Sequence, residues 1–288
     1  MTNLVFALLW LVHFLPLGVI APLGSAVGAA AFWLIPERRR VTRINLERCF
    51  PLMPSAERER LARAHFRAFG CSFVEYGLWW WAPRARIERL VQVEGLEHLR
   101  ACAGRPVIVL TPHFVGLDAA ATRLSAEADS AGIYARQKNR RFAALLARGR
   151  GRFGDQMQIS RQEGVRPALR ALRSGRALYY LPDQDFGPRN SIFVPFFGVP
   201  AATVPALGRI ARSAGALVLP CIVRMLPGGR GYRVRIEPPW TDFPTGDLAA
   251  DTRRMNAYIE SRVLEMPEQY FWMHKRFKTR PAGESRFY

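Results

Sequence analysis

The sequence predicts an α/β fold: a single domain with a mostly parallel, helix-flanked sheet, preceded by an N-terminal membrane anchor. Short apolar runs typical of buried strands alternate with segments of helical periodicity, and glycines or prolines separate them. No charged side chain occurs between residues 2 and 36. We therefore assign residues 1–36 to the anchor and residues 37–288 to the folded domain.

The uncharged stretch is about 35 residues long, more than the roughly 20 needed to cross a bilayer as a helix. Pro16 and Pro22 interrupt it, so we predict one tilted span over residues 4–20 and a second apolar segment over residues 23–35. The second segment bends back, lies in the interface or packs on the folded domain. The basic residues that follow, among them Arg38 and Arg43, place this flank in the cytoplasm. A buried hairpin in a soluble protein is the alternative, since a cleaved signal peptide would need a basic start.

Residues 37–82 have helical periodicity. Pro54 and Ser55 precede two acidic residues, which predicts a helix start with Ser55 as the N-cap. Three consecutive tryptophans at residues 79–81 follow. Either two of them pack in the core and one is exposed, or they form an anchor at a membrane interface.

From residue 91 onward, strands and helices alternate. Predicted strands cover residues 91–93, 107–110, 132–134, 177–181, 216–223 and 232–236. Predicted helices cover residues 95–103, 119–129, 141–150, 165–174, 207–214 and 248–266. Such alternation favours one mostly parallel sheet.

The composition limits the classes of molecule that the protein is expected to bind. The formal net charge is +19, which favours an anionic partner: nucleic acid, an acidic membrane face, an anionic lipid or an acidic protein. No RNA-binding signature, zinc-ligand spacing or basic helix before heptads is present, so we expect no nucleic-acid partner. The four cysteines form no CxxC pair, and we expect neither disulfides nor a metal site.

One short motif carries the chemistry. His113 and Asp118 lie five positions apart, directly after the apolar run 107–110. The Thr-Pro step at 111–112 ends that strand and places His113 at the sheet edge where α/β folds bind ligands. A histidine can take a proton from an alcohol near neutral pH, and a carboxylate can fix its tautomer. Because residues 111–118 contain no serine or cysteine, the motif suits direct attack by a substrate hydroxyl. A helix cap beside an unrelated polar side chain is the alternative.

Three further blocks follow predicted strands or lie on loops. They are Gly-Arg-Gly-Arg-Phe-Gly at 149–154, Pro-Asp-Gln-Asp at 182–185 with Phe-Val-Pro-Phe-Phe-Gly at 193–198, and Tyr-Phe-Trp-Met-His-Lys-Arg-Phe-Lys-Thr-Arg-Pro at 270–281. With the His113 motif and the block at 43–51, they make nearly the whole chain resemble the late acyltransferases of lipid A biosynthesis, in the lysophospholipid acyltransferase superfamily. That family usually has Glu where this chain has Asp118, and Asp is common there in the glycerolipid branch.

The resemblance implies a function: transfer of a fatty acyl chain from acyl carrier protein to a hydroxyl of a lipid A precursor. It implies acyl carrier protein, an anionic lipid acceptor and the bacterial inner membrane as partners, with the domain on the cytoplasmic side. No cofactor or metal is expected, because the thioester is already activated. One alternative is acylation of a lysoglycerophospholipid or another membrane lipid, which Asp118 favours. The other is a membrane-tethered protein that binds an anionic ligand without catalysis.

The resemblance also implies roles for individual residues. His113 would deprotonate the acceptor hydroxyl, and Asp118 would orient and charge-balance His113. The expected substrate-binding residues are Arg152, Asp183, Asp185 and Arg189, with Arg152 on the acceptor phosphate. The alternatives are a solvated cation for Arg152 and turn chemistry for the two aspartates. The expected acyl-pocket residues are Phe114, Phe193, Phe196 and Phe197, with ordinary core packing as the alternative.

Overall fold

A computed structural model of the chain describes residues 2–134 and 139–288. The strands in these residues are β1 (Val91–Glu94), β2 (Val107–Leu110), β3 (Ser130–Tyr134), β4 (Gln156–Ser160), β5 (Ala177–Tyr180), β6 (Ile192–Phe196), β7 (Val199–Thr203), β8 (Leu217–Met225) and β9 (Tyr232–Ile236). Seven of them form the central sheet in the order β1-β9-β8-β2-β5-β3-β4, and β6 pairs with β7 in a separate hairpin. Every neighbouring pair in the sheet is parallel except β8 with β9. The predicted mostly parallel sheet is confirmed.

The strand that leads to His113 is central. All four residues of β2 are buried, as expected for a strand covered on both faces. The prediction missed β4, β6 and β7. In β4, Gln156 and Gln158 interrupt the apolar pattern, and in the hairpin Pro195 and Pro200 oppose each other. Prolines reduce strand propensity, since they cannot donate to a ladder.

Twelve α-helices occur in the described residues. They are α1 (Thr2–Val12), α2 (Leu17–Leu34), α3 (Pro36–Cys49), α4 (Ser55–Val74), α5 (Tyr76–Trp81), α6 (Arg84–Leu90), α7 (Leu96–Ala101), α8 (Leu117–Leu124), α9 (Arg140–Arg150), α10 (Arg166–Arg173), α11 (Ala206–Ala214) and α12 (Leu248–Glu265). Helix α8 packs on β1 and β9 and also against α5 and α9, whereas α10 packs on β3, β4 and β5 and against α11. The sheet therefore has helices over it in two separate groups.

Some helix ends differ from the prediction. Ser55 is the first residue of α4, and Pro54 occupies the N-cap without a side-chain hydrogen bond, so the predicted Ser55 cap is wrong. Helix α8 ends at Leu124, five positions before the predicted end at residue 129. Trp79 and Trp80 are buried and Trp81 is half-buried, which favours packing in the core over an exposed anchor.

The apolar N-terminus is broken into two helices. Helix α1 ends at Val12, and α2 begins at Leu17 directly after Pro16. The predicted continuous span over residues 4–20 is therefore wrong, because a proline has no N–H to continue a preceding helix. Of the described helices, α2 alone is long and apolar enough to cross a membrane. Most exposed large apolar side chains of the described chain lie between residues 4 and 35.

Helix α2 also packs closely on the rest of the domain. A Cβ added to Gly28 would lie 2.1 Å from the Phe66 carbonyl oxygen of α4, and one added to Gly70 would lie 2.3 Å from the Gly24 carbonyl oxygen. The Cys71 thiol donates to the Ala21 carbonyl across the same contact. The two helix backbones touch, so one face of α2 is docked on α4 and the opposite face is apolar and exposed.

Candidate active site

His113 and Asp183 lie at the carboxyl ends of two neighbouring parallel strands. Where β2 pairs with β5, Leu110 lies opposite Tyr180. His113 comes three positions after Leu110, and Asp183 comes three positions after Tyr180. Loops of equal length therefore bring both side chains to the same edge of the sheet, the edge where open α/β folds bind ligands.

The Asp183 carboxylate makes two hydrogen bonds with His113. Its Oδ1 lies 2.7 Å from the imidazole Nδ1, and its Oδ2 accepts the His113 backbone N–H at 2.9 Å. The Asp183 side chain is 2% exposed and the His113 side chain 22% exposed. Burial alone would raise the pKa of the Asp183 carboxyl, but the nearby imidazole and its hydrogen bonds outweigh burial and hold that pKa below its ordinary value. Asp183 is therefore a carboxylate near neutral pH.

This geometry fixes the tautomer of the neutral imidazole. A carboxylate only accepts hydrogen bonds, so the ring N–H lies on Nδ1 and donates to Asp183. The Nε2 atom then carries the lone pair, and His113 lines the large cavity described below. A histidine held in this way can take a proton at Nε2, and the carboxylate stabilises the imidazolium that forms.

The C-terminal tail supports the His113 loop. The His113 carbonyl accepts the Phe271 N–H at 3.0 Å, and the Val115 N–H donates to the Gln269 carbonyl at 2.9 Å. Burial, with the proximity of His113, lowers the pKa of His274 to about 4. His274 is therefore neutral near pH 7, and the tail block and the His113 motif form one structural unit.

Asp118 binds other partners than His113. Arg150 Nε donates to Asp118 Oδ1 at 2.6 Å, and the Tyr76 hydroxyl donates to Oδ2 at 2.8 Å. Burial lowers and Asp118 raises the pKa of the Arg150 guanidinium, and the net effect is a rise. The prediction that Asp118 orients His113 is corrected, since Asp183 holds that place. The reason is local: Asp118 lies in the first turn of α8, which packs against α5 and α9.

Arg152 is also placed differently from the prediction. Its guanidinium donates to the carbonyls of Trp79 at 3.0 Å and Ala82 at 2.7 Å, and so satisfies carbonyls at the C-terminal end of α5. Arg150, two positions earlier, lines the cavity. The expected phosphate-binding role of Arg152 is therefore corrected: among the described residues this arginine contacts the α5 end, not the cavity.

The two remaining predicted polar residues have different surroundings. Asp185 is 1% exposed and accepts hydrogen bonds from the Gly187 N–H at 2.8 Å, the Thr279 N–H at 2.6 Å and the Thr279 hydroxyl at 2.9 Å. It joins its own loop to the tail, which corrects its assignment to substrate binding in favour of turn chemistry. Arg189 is exposed and lines the cavity, where a substrate-binding residue would have to lie.

The cavity beside His113 has a volume of about 1360 Å³. One wall comes from α4, α5, α8 and α9 and is mostly apolar. Side chains of this apolar wall are Phe69, Trp79, Leu117, Phe142 and Leu146. The Asp118–Arg150 pair is the charged feature of the same wall. A cavity of this size with one apolar wall can hold a long hydrocarbon chain next to a base.

The predicted phenylalanines divide between cavity and core. Phe114 lines the cavity. Phe196 is fully buried in the core, and Phe197 packs on Phe50 with ring centroids 5.1 Å apart. Phe193 is 43% exposed on β6. The acyl-pocket assignment of Phe193, Phe196 and Phe197 is therefore corrected, since they lie in the hairpin and its packing.

Sequence reasoning missed the partner of His113 and the cation of the cavity. A signal for Asp183 existed, because both strands end in the same pattern, one residue and then a proline before the polar side chain. A signal for Arg150 existed as well. It lies four positions after Leu146 and eight after Phe142, on the apolar face of α9. The hydroxyl of Tyr76 had no comparable signal.

Comparison with known proteins decides the family. A family model described as bacterial lipid A biosynthesis acyltransferase matches residues 1–279. The chain belongs to that family. The lipid A biosynthesis lauroyltransferase of Escherichia coli strain K12 is 35% identical over 286 residues, covering 98% of this chain and 93% of that protein. The palmitoleoyltransferase of the same strain is 36% identical over 283 residues, covering 97% and 92%. The myristoyltransferase is 33% identical over 268 residues, covering 91% and 82%.

The family match begins at residue 1 and ends at residue 279. It therefore includes the apolar helices α1 and α2 as well as the sheet, the His113 loop and the tail. The N-terminal helices of this acyltransferase are therefore part of the region that the family shares. The same family match confirms the predicted resemblance to lipid A biosynthesis acyltransferases.

Proposed function

We propose that this acyltransferase moves a fatty acyl chain from acyl carrier protein to a hydroxyl group of a lipid A precursor. In this proposal His113 is the general base and Asp183 is its positioning residue. The observation that carries it is the 2.7 Å contact between His113 Nδ1 and the buried Asp183 carboxylate, on the wall of a cavity large enough for a hydrocarbon chain. The relatives named for lauroyl, palmitoleoyl and myristoyl transfer support an acyl substrate.

Because the lone pair of His113 lies on Nε2, this nitrogen accepts the proton in the proposed reaction. The acceptor hydroxyl oxygen attacks the carbonyl carbon of the acyl thioester while its proton passes to His113 Nε2. The tetrahedral intermediate collapses as the C–S bond breaks, and the imidazolium returns the proton to the leaving thiolate. An ester and a free thiol result, and His113 ends neutral. The thioester is already activated, so the proposal needs no metal and no bound cofactor.

The oxyanion needs hydrogen-bond donors, and three backbone N–H groups of the His113 loop already have acceptors. The backbone N–H groups of His113, Phe114 and Val115 donate to Asp183, the Pro112 carbonyl and the Gln269 carbonyl. Arg150 lies on the cavity wall with its guanidinium fixed by Asp118. We therefore assign the oxyanion to Arg150, because a pre-oriented cation stabilises charge that develops in the transition state.

The proposal includes a place in the cell. Helices α1 and α2 attach the enzyme to the bacterial inner membrane through their exposed apolar faces, and the domain lies on the cytoplasmic side. The basic flank after Pro36 supports that side, and the net charge of +19 suits an acidic carrier protein and a phosphorylated acceptor. Carbonate extraction tests attachment. A reporter fused after Tyr288 tests the side, and a periplasmic signal would contradict it.

The function is tested with purified protein in detergent, labelled acyl carrier protein and a panel of acceptors. The panel contains a lipid A precursor and a lysoglycerophospholipid. We expect ester formation on the precursor, with a loss of about 10²–10⁴-fold in rate for His113→Ala. The melting temperature of the variant is measured in parallel to show that it folds.

Each other outcome changes the proposal. Transfer only to the lysoglycerophospholipid would move the acceptor to that lipid class. Absence of transfer to every acceptor would favour an anionic-ligand-binding protein without catalysis. Full activity in a folded His113→Ala protein would show that His113 is not the base.

A further inference from the structure

Four arginines line a second wall of the His113 cavity. They are Arg161, Arg189, Arg209 and Arg212. All four are exposed, and none forms an ion pair with any described residue, in contrast to Arg150. We name them the basic wall. A set of cations that share one cavity and lack carboxylate partners inside the protein is available to an anionic ligand.

The basic wall is separate from the apolar wall. Arg161 follows β4, Arg189 lies in the loop after β5, and the other two belong to α11. Helix α11 packs against α10 and α12, whereas α5, α8 and α9 pack against one another. Because Arg209 and Arg212 are three positions apart, they lie on the same face of α11. The cavity thus joins an apolar region and a cationic region on different parts of the fold.

Two of these arginines have close neighbours, and an aromatic ring restrains one of them. The Arg161 guanidinium lies 4.7 Å from the centroid of the Phe186 ring, a cation–π contact. Arg212 passes close to Gly246, where an added Cβ would be 3.0 Å from its Nη2. Contacts of this kind reduce the side-chain entropy that an arginine loses when it binds a ligand.

Nearby carboxylates are engaged elsewhere. Glu163 accepts the Ser160 N–H at 2.8 Å. Asp251 accepts the Thr245 N–H at 3.0 Å and its hydroxyl at 2.9 Å. Asp247 accepts backbone N–H groups at the start of α12. These acids fix a loop or a helix end and do not pair with the basic wall.

We propose that the basic wall binds a phosphate group of a substrate while the acyl chain lies along the apolar wall. Guanidinium groups bind phosphate oxygens in bidentate pairs, and several together hold one phosphate in a fixed orientation. The inference rests on the proposed function and adds residues to its site. Two substrates carry such a phosphate: the acceptor lipid, on its headgroup, and the acyl donor, on its phosphopantetheine arm.

The test compares two double variants of equal charge change. Arg209→Gln/Arg212→Gln removes half of the basic wall. Arg170→Gln/Arg173→Gln removes two exposed arginines of α10 that do not line the His113 cavity. The acceptor arm uses a phosphorylated lipid A precursor and the same lipid after phosphatase treatment. The donor arm uses acyl phosphopantetheine and acyl pantetheine without the phosphate.

We expect the α11 variant to raise KM or Kd about 10- to 100-fold for the phosphorylated member of one arm. The value for the dephosphorylated member stays within about 2-fold, and the α10 control changes neither. Arg209→Lys/Arg212→Lys should restore part of the affinity, because it keeps the charge without the bidentate geometry. The arm that responds identifies the source of the phosphate.

The inference is overturned if the α11 variant weakens phosphorylated and dephosphorylated ligands equally in both arms, or weakens neither. An equal effect from the α10 control would also overturn it, because a general loss of charge would then explain the result. Binding is measured in the His113→Ala background as well, where no turnover is needed. A wild-type protein that binds phosphorylated lipid but transfers no acyl chain would refute the proposed function and leave this inference intact.

Discussion

The His113–Asp183 pair and the Asp118–Arg150 pair lie beside one cavity, but different parts of the fold hold them. Backbone loops of equal length on neighbouring strands position the first pair, and its carboxylate is 2% exposed. Side chains of three helices position the second pair, through the Tyr76 hydroxyl of α5 and an ion pair that is 16% and 24% exposed. The first pair is therefore placed by backbone loops, and the second by contacts between side chains.

The difference separates orientation of a base from shaping of a cavity wall. A carboxylate at Nδ1 of a histidine determines which nitrogen carries the lone pair. A carboxylate on a guanidinium fixes a cation and stabilises the packing of helices. Loss of Asp183 should therefore act on the base directly, whereas loss of Asp118 should act on the chemistry only through Arg150 and should also affect folding.

The largest expected effect is that of Asp183→Asn. An amide can hold the imidazole in the wrong tautomer and cannot balance the imidazolium charge, so we expect the acyl-transfer rate to fall about 10³- to 10⁴-fold. Single-turnover transfer measures this loss. His113→Ala is the matched comparison, and the double variant should be no worse than either single one, since the two residues act as a unit.

Asp118→Asn should cost less activity and more stability. Breaking a fully buried ion pair costs about 3–5 kcal/mol, and the partial exposure of this pair reduces the expected loss to roughly 2 kcal/mol. We expect the rate to fall roughly 10-fold, because Arg150 stays present but loses its orientation. Asp118→Glu is the control and should retain most activity. A 10³-fold loss in a well-folded Asp118→Asn protein would instead place Asp118 in the chemistry.

The stability of the helices that form the apolar wall also depends on the contact between α2 and α4. Gly28→Ala would place a Cβ 2.1 Å from the Phe66 carbonyl oxygen, whereas Gly18→Ala meets nothing within 4 Å. We expect Gly28→Ala to lower the free energy of unfolding by about 1–3 kcal/mol, and Gly18→Ala to leave it unchanged or raise it slightly. Chemical denaturation in detergent measures both. Equal values for the two variants would show that α2 is not docked.

A pH-dependent effect on stability, with no expected change in the chemistry, concerns Glu75, the residue before Tyr76. Burial raises the pKa of Glu75 to about 8, although the Tyr232 hydroxyl donates to its carboxylate. The folded state therefore holds this proton more tightly than the unfolded chain, so the stability contributed by the neutral carboxyl is complete below about pH 4.5 and is lost as the pH rises through 8. Glu75→Gln, which stays neutral, should melt a few degrees above wild type at about pH 9 and close to it at about pH 5. A difference that does not change with pH would contradict this.

The sequence was sufficient for six of the seven strands of the central sheet, all but β4, and insufficient for the pairing of the site residues. The short apolar run Val107–Leu110 between turn residues predicts a buried strand, and β2 is that strand. That β5 is its neighbour is a tertiary fact, so the sequence indicated Asp118, five positions away, in preference to Asp183, seventy positions away. Distance along the chain is a poor guide to which carboxylate reaches a histidine at a sheet edge.

The N-terminus shows the same limit of prediction from sequence. Its lack of charge correctly predicted apolar helices, but the break after Val12 and the docking of α2 on α4 depend on Pro16 and on close contacts at Gly28. The sequence also did not distinguish Arg150 from Arg152. Both are arginines in one basic block, and the end of α9 at Arg150 determines which of them faces the cavity.

The most direct test is the tautomer of His113 in protein with ¹⁵N-labelled histidine, observed by NMR near neutral pH. The structure predicts a proton on Nδ1 and a lone pair on Nε2 in the wild type and in Asp118→Asn, with loss of that preference in Asp183→Asn. A change of tautomer in Asp118→Asn with none in Asp183→Asn would contradict the assignment of Asp183 as the residue that orients the base.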